Sequence, residues 1–136
     1  MIVARTREAY APPVIVAMVA LLVREYDEAI AFYRDALGFT VVEDTPMAHK
    51  RWVRMGAGGG AELLLSRAVG EQAAYVGKQA GGRVLLFLHT QDFDADLARM
   101  RAANVRFTEE PRTETWGRVV VVEDLYGNRL DVIERP

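Results

Sequence analysis

Apolar residues follow a recognisable order of patterns along the first half of the chain. A continuous, partly β-branched run at 14–23 is typical of a strand covered on both faces. Apolar residues then recur at intervals of three and four, which predicts a helix with Asp27 as its N-cap and a stop at Gly38. Three shorter patterns predict strands at 39–44, 51–55 and 61–66. The first half is therefore predicted to have the element order β, α, β, β, β.

The same order returns in the second half, after a glycine-rich stretch at 67–82 that lacks strong periodicity. A strand is predicted at 83–90, followed by a helix that is capped near Asp92 or Asp94 and ends at Asn104. Three further strands are predicted at 105–109, 118–123 and 129–134. Each half of the chain is thus predicted to form one βαβββ unit.

A constant offset of 67 residues relates the two halves. Glu-Tyr-Asp at 25–27 returns as Asp-Phe-Asp at 92–94, and Gly60 before a strand returns as Gly127. A unit that cannot bury its own sheet face gains a partner by duplication, and the surface between two copies is a natural ligand site. We therefore expect functional residues on strands that face this surface.

The repeat also sets the predicted organisation of the chain. We expect one domain at 14–136, preceded by an extended N-terminal arm at 1–13. Within that domain, unit one spans 14–66, a linker spans 67–82, and unit two spans 83–134.

Composition narrows the classes of function. The 136 residues are 51% hydrophobic and 26% charged, with a formal net charge of −2, which is ordinary for a globular domain and gives little attraction for nucleic acid. Cysteine is absent, so disulfides, thiolate nucleophiles and thiolate metal ligands are excluded. The longest apolar run is too short to span a bilayer. We expect a cytoplasmic protein that contacts neither membrane nor nucleic acid.

Two segments carry a family resemblance. YDEAIAFYRDALGF at 26–39 and DLYGNRLDVIE at 124–134, placed within a duplicated βαβββ chain, resemble the vicinal oxygen chelate superfamily of glyoxalases, extradiol dioxygenases and bleomycin-resistance proteins. The resemblance extends over 14–134. It implies an α+β fold in which two tandem βαβββ units form a curved mixed-sheet cup, commonly in a homodimer.

The resemblance also implies positions for a metal site. Enzymes of this superfamily hold one divalent ion with four inward side chains, on the first and last strand of each unit. Those positions fall here on Met18, Leu64, Leu85 and Asp131. Three apolar groups and one carboxylate cannot hold such an ion, so no metal or other cofactor is expected. Were a metal present, Glu62 would be the best second ligand beside Asp131, although a strand-end carboxylate also pairs readily with arginine or solvent.

Two residues could carry chemistry without a metal. Asp131 has apolar neighbours in sequence, so burial would raise its pKa and make it a base; alternatively, it forms a structural salt bridge with Arg83, Arg129 or Arg54. His89 shares strand parity with Leu85 and could assist as a base or hydrogen-bond donor, or could simply be satisfied at a strand end.

The remaining candidates, together with Met18, Leu64 and Leu85, would contact a ligand in the cup. Phe87 lies on the cup side by parity, and Arg83 could hold an anionic group, although arginines at strand ends are usually solvated. Trp52, Trp116 and Tyr126 would line the rim, where they could clamp a flat ligand or serve as packing anchors.

Three functions fit these residues. The first is an apolar cup that binds and sequesters a small organic molecule, as in the bleomycin-resistance branch. The second is a metal-dependent glyoxalase- or dioxygenase-type enzyme with an atypical site, and the third is a metal-free isomerase that uses Asp131. The sequence leaves open whether any reaction is catalysed.

Overall fold

The computed structural model describes residues 11–135, so most of the predicted arm at 1–13 lies outside the described residues. Within residues 11–135, no helix has the length and apolarity needed to cross a membrane. The elements in chain order are β1 (Met18–Val23), α1 (Tyr26–Leu37), β2 (Thr40–Pro46), β3 (Arg51–Gly56), β4 (Glu62–Arg67), a short 3-10 helix (Gly70–Tyr75), β5 (Val84–Thr90), α2 (Phe93–Ala102), β6 (Arg106–Phe107), β7 (Arg112–Glu114), β8 (Gly117–Glu123) and β9 (Arg129–Glu134).

Each unit builds its own mixed sheet. In unit one the strand order is β1-β4-β3-β2, with β1 parallel to β4 and the other pairs antiparallel. In unit two the order is β5-β9-β8-β6, with β5 parallel to β9, and β7 also pairs with β8. The predicted α+β class is confirmed.

The 67-residue offset is preserved in the strand registers. Ala20 lies opposite Leu64 in unit one, and Phe87 lies opposite Asp131 in unit two. Because a slip of one residue would turn every side chain to the other face, the conserved register gives the two sheets equivalent faces.

One face of each sheet packs against the helix of its own unit. Alternate residues of β1, such as Leu21 and Val23, join the apolar face of α1 in one buried cluster. Val120 and Leu130 join Phe93 of α2 in the other cluster. Burying these side chains supplies most of the driving force for each unit.

Several local predictions can be compared directly with the elements. Gly38 ends α1 with φ of 72°, and Asp92 caps α2 by accepting a hydrogen bond from the backbone of Ala95, both as predicted. The predicted cap at Asp27 is wrong, because α1 begins two residues earlier, after Glu25.

The start of the first strand is also corrected. β1 begins at Met18, and the side chains of Val14, Ile15 and Val16 are 98%, 82% and 69% exposed. An apolar run alone does not reveal whether anything covers it, so the prediction of a strand buried on both faces fails over this stretch. The predicted strand at 105–109 is shorter than expected, and β7 was not predicted.

A buried polar cluster ties the two units together. The hydroxyl of Tyr33 in α1 donates to Oδ2 of Asp124 at 2.7 Å, and the amide side chain of Asn128 donates to the same oxygen at 2.9 Å. The backbone amides of Tyr126 and Asn128 donate to Oδ1. Asp124 is therefore fully satisfied despite its burial, and it fixes α1 against the β8–β9 turn.

Candidate functional site

Each sheet has a second face that points away from its helix, and we call it the open face of that unit. In unit two, Leu130 and Val132 point towards α2, so their neighbours Asp131 and Ile133 point to the open face. Val121 and Phe87 reach the same face by the same alternation on β8 and β5.

Asp131 stands between two apolar side chains in the register of this sheet. Phe87 lies opposite it on one side and Val121 on the other. The Phe87 side chain is 65% exposed, whereas Oδ1 of Asp131 is buried and has no hydrogen-bond partner among residues 11–135. The open face of unit two thus presents an uncovered aromatic ring beside an unsatisfied carboxylate.

Burial raises the pKa of Asp131, because removal from water penalises the charged form. The positive charge of Arg112 opposes this shift, and the negative charge of Glu109 adds to it. The ion pairs formed within residues 11–135 do not include Asp131. The alternative of a salt bridge to Arg83, Arg129 or Arg54 is therefore not realised within these residues.

Arg54 is engaged elsewhere, on the open face of unit one. Its Nε and Nη2 donate to the two carboxylate oxygens of Glu62 at 2.7 and 3.1 Å, and its Nη1 donates to Glu43 at 3.0 Å. The bidentate geometry occupies both oxygens of Glu62. Glu62 is thus held as an arginine partner and is poorly placed to serve as a metal ligand.

The residues present do not fit a divalent metal site. Asp131 contributes one carboxylate, and its cross-strand neighbours Phe87 and Val121 contribute no donor atoms. Over residues 11–135, no three His, Asp or Glu side chains come together in a way that could hold an ion. A protein site for such an ion needs three or four ligands, which these residues do not supply.

The four positions taken from the family divide into different environments. Met18 and Leu64 are half-buried and share the open face of unit one, where Met18 lies opposite Glu62. Leu85 packs against the core of unit one, at a register irregularity between Val84 and Leu86. Asp131 belongs to the open face of unit two, so the described chain does not bring the four into one pocket.

A cleft of about 370 Å³ lies between the two units, and we call it the inter-unit cleft. Phe87 and His89 of β5 line one side, and Val19, Phe39 and Glu62 are among the residues on the other. Most of its lining is apolar, and His89 is an exposed polar group at its border. Phe87 therefore borders both the cleft and the open face of unit two.

The predicted rim aromatics do not converge on one space. Trp52 borders a smaller recess of about 310 Å³ in unit one, together with Leu64. Trp116 is 49% exposed beside the β7–β8 connection. The hydroxyl of Tyr126 donates to Glu28 at 2.6 Å, so this ring links the two units. Burial raises the pKa of the Tyr126 hydroxyl. Arg83 is exposed just before β5.

Sequence reasoning missed two features of the site. Val121 completes the row around Asp131, and Arg54 occupies the equivalent position in unit one. The repeat offset carried this signal, because it aligns Arg54 with Val121 and Leu64 with Asp131. Applying it to the middle strands would have revealed an arginine opposite an apolar residue in unit one and a valine opposite a carboxylate in unit two.

Comparison with known proteins identifies the class that this fold and site define. The model of the Glyoxalase/Bleomycin resistance protein/Dioxygenase superfamily matches residues 15–132, and the chain belongs to this family. The resemblance inferred from the two sequence segments is confirmed.

Individual proteins are also similar to this chain. An uncharacterized protein of Shewanella frigidimarina is 47% identical over 121 residues, which cover 85% of this chain and 90% of the relative. The crystal structure of UcmS2 matches with a TM-score of 0.77 at 27% identity, covering 90% of this chain and 98% of that one. TnmS3, an antibiotic binding protein from Streptomyces sp. CB03234, matches with a TM-score of 0.76 at 26% identity, covering 93% and 100%.

Proposed function

We propose that this protein binds and sequesters a small, largely apolar organic molecule on the open face of unit two, without breaking a bond in it. The observation that carries the proposal is the 65% exposure of Phe87 beside the unsatisfied carboxylate of Asp131. Ligand sites are mostly apolar surfaces with a few placed polar groups, and this face has that composition.

The inter-unit cleft supports the same location. Its volume of about 370 Å³ lies within the range of roughly 300–1,000 Å³ that is usual for small-molecule sites. Because Phe87 borders both spaces, a ligand on the open face can extend into the cleft. The likeness to TnmS3, which is described as an antibiotic binding protein, favours binding of this kind.

We also propose that a second copy of this chain covers part of this surface in a homodimer. The outer edges of β1 and β5 have no strand partner among residues 11–135, and Val14, Ile15 and Val16 extend the exposed apolar surface before β1. Sedimentation at micromolar concentration should give the mass of a dimer. A monomer at all concentrations would contradict this part of the proposal.

Binding can be tested with naphthylmethanol, an uncharged aromatic probe, by calorimetry or by ligand-observed NMR. Phe87→Ala should weaken binding roughly fivefold, because the ring is the largest exposed apolar group on this face. Tyr75→Ala, which removes another exposed aromatic ring in the linker, is the matched control and should bind as the parent does. Absence of binding at millimolar probe, or equal loss in both variants, would contradict the proposal.

A metal-free isomerase remains a second candidate, because burial raises the pKa of Asp131 in the direction that suits a general base. Deuterium exchange into a bound carbon acid in heavy water would reveal such proton transfer, and Asp131→Asn should abolish it. Elemental analysis of protein purified without chelator tests the metal-dependent alternative. About one divalent ion per chain would favour that enzyme over the binding protein.

A further inference from the structure

The carboxylate of Asp131 requires something that residues 11–135 do not provide. Its Oδ1 is buried without a partner, and its cross-strand neighbours Phe87 and Val121 have no groups that could donate to it. A buried, unpaired charged oxygen is unfavourable, whereas the same group with a cation or hydrogen-bond donor becomes a strong contact. Because the charge is shared by both oxygens, a cation placed against Oδ2 also offsets the burial of Oδ1.

The arginine whose charge acts most on Asp131 is already paired with other carboxylates. On the neighbouring segment, Arg112 donates to Glu109 at 2.9 Å and to Glu114 at 2.7 Å, so its positive charge is shared between two carboxylates. Arg54 is held by Glu62 in the other unit. Both arginines are therefore paired with other carboxylates, and Oδ1 of Asp131 keeps no partner among residues 11–135.

The spacing of the sheet relates the charge to the ring. Neighbouring strands lie about 4.8 Å apart, and Phe87 and Asp131 are direct partners on adjacent strands. A ligand that stacks on the Phe87 ring can therefore place a polar group against the carboxylate of Asp131, if that group is attached to the ligand's ring system through one or two bonds. Unit one has no counterpart, because Ala20 and Leu64 occupy the equivalent positions.

We propose that the ligand is an arylalkylamine, whose protonated amino group on a short chain pairs with Asp131 while its ring system covers Phe87. This inference rests on the proposed function, since it names the class of molecule bound at the same site. The ammonium group supplies the missing partner of the carboxylate, and the ring system supplies the apolar area that Phe87 leaves uncovered.

Three probes of one shape separate charge from apolar contact: naphthylmethylamine, naphthylmethanol and naphthoate. Their dissociation constants should be measured by calorimetry at neutral pH, at low and at physiological salt. We expect the amine to bind about tenfold more tightly than the alcohol, and the carboxylate to bind most weakly. Asp131→Asn should remove the preference, so that the amine and the alcohol bind with similar dissociation constants.

A matched variant distinguishes a direct contact from general attraction. Glu110→Gln removes an exposed carboxylate from the same unit without touching Asp131, and it should keep the preference for the amine. Loss of the preference in Glu110→Gln as in Asp131→Asn would overturn the direct pairing. Thermal unfolding of each variant checks that the fold is retained.

The outcomes also separate this inference from the proposed function. If the amine and the alcohol bind equally to the parent protein, the inference fails and the aromatic site stands. If Asp131→Asn retains the preference, the inference likewise fails. If none of the three probes binds, the proposed function fails and the inference fails with it.

Discussion

The two units share one scaffold but have opposite open faces. In unit one, the row across the sheet is Ala20, Leu64 and Arg54, and the arginine is neutralised by Glu62. In unit two, the equivalent row is Phe87, Asp131 and Val121, with an exposed ring and an unsatisfied carboxylate. Unit one satisfies its own charge and unit two does not, and this difference is the reason for proposing the ligand site on unit two.

The scaffold beneath these faces has changed much less. Arg51 in β3 pairs with Asp27 and lies 5.2 Å from the centre of the Tyr26 ring. At the 67-residue offset, Arg118 in β8 makes the same two contacts at the start of α2, with Asp94 and with the Phe93 ring. Duplicated contacts of this kind hold the helix on its sheet, so this part of the scaffold is shared by both units although their open faces differ.

The largest expected effect concerns the β8–β9 turn, which differs from its counterpart in unit one. Asp124 corresponds to Ala57 in unit one. Asp124→Ala would leave the hydroxyl of Tyr33 and the side chain of Asn128 buried without their acceptor, at a cost of about 3 kcal/mol. Tm should fall by roughly 10 °C in a thermal unfolding experiment.

Tyr33→Phe is the graded control for this change. It removes one donor and leaves the other three hydrogen bonds to Asp124 in place, so it should cost about 1 kcal/mol. No measurable effect of Tyr33→Phe would show that this hydroxyl contact is not what joins the units, whereas equal effects of the two substitutions would show that the bonds within the turn contribute nothing.

The second effect follows from giving unit one the valine of unit two. Arg54→Val would leave Glu62 and Glu43 without their shared cation, and Tm should fall by roughly 5 °C. Adding Glu62→Gln should restore more than half of the lost Tm, because most of the loss comes from the unpaired negative charge of Glu62. A double variant no more stable than the single one would argue against this account.

The sequence predicted the elements and the repeat, and through them the shared register of the open faces. It could do so because strand alternation is visible within each unit, and the fixed offset is visible when the two units are aligned. The buried pairing of Tyr33 with Asp124 joins residues 91 positions apart in sequence, and no periodicity signals it. The position of Leu85 was missed for a similar reason, since an irregular register breaks the alternation on which the prediction depends.

The third effect is a gain in stability from giving unit two the leucine of unit one. Asp131→Leu removes the unsatisfied oxygen and should stabilise the fold by about 1 kcal/mol at neutral pH. Since burial raises the pKa of Asp131 above its unfolded value of about 3.9, the folded protein binds the proton more tightly than the unfolded chain.

The gain should therefore depend on pH in a defined direction. It is complete above the folded-state pKa of Asp131, shrinks as pH falls through that pKa, and is lost below about 3.9, where the parent carboxyl is protonated in both states. Chemical denaturation at several pH values measures this difference. A gain that stays constant down to low pH would assign it to packing and not to the charge.

The smallest effects test whether the scaffold is truly duplicated. Arg51→Ala and Arg118→Ala each remove two solvent-accessible ion pairs, one of them to the helix start, and one cation–ring contact. Exposed pairs contribute little, so each substitution should lower Tm by about 2 °C, and the two losses should agree closely. Both should shrink at high salt, where exposed charges are screened. A markedly larger loss at one arginine would mean that the units differ in their scaffold as well as in their open faces, and that the ligand surface did not diverge alone.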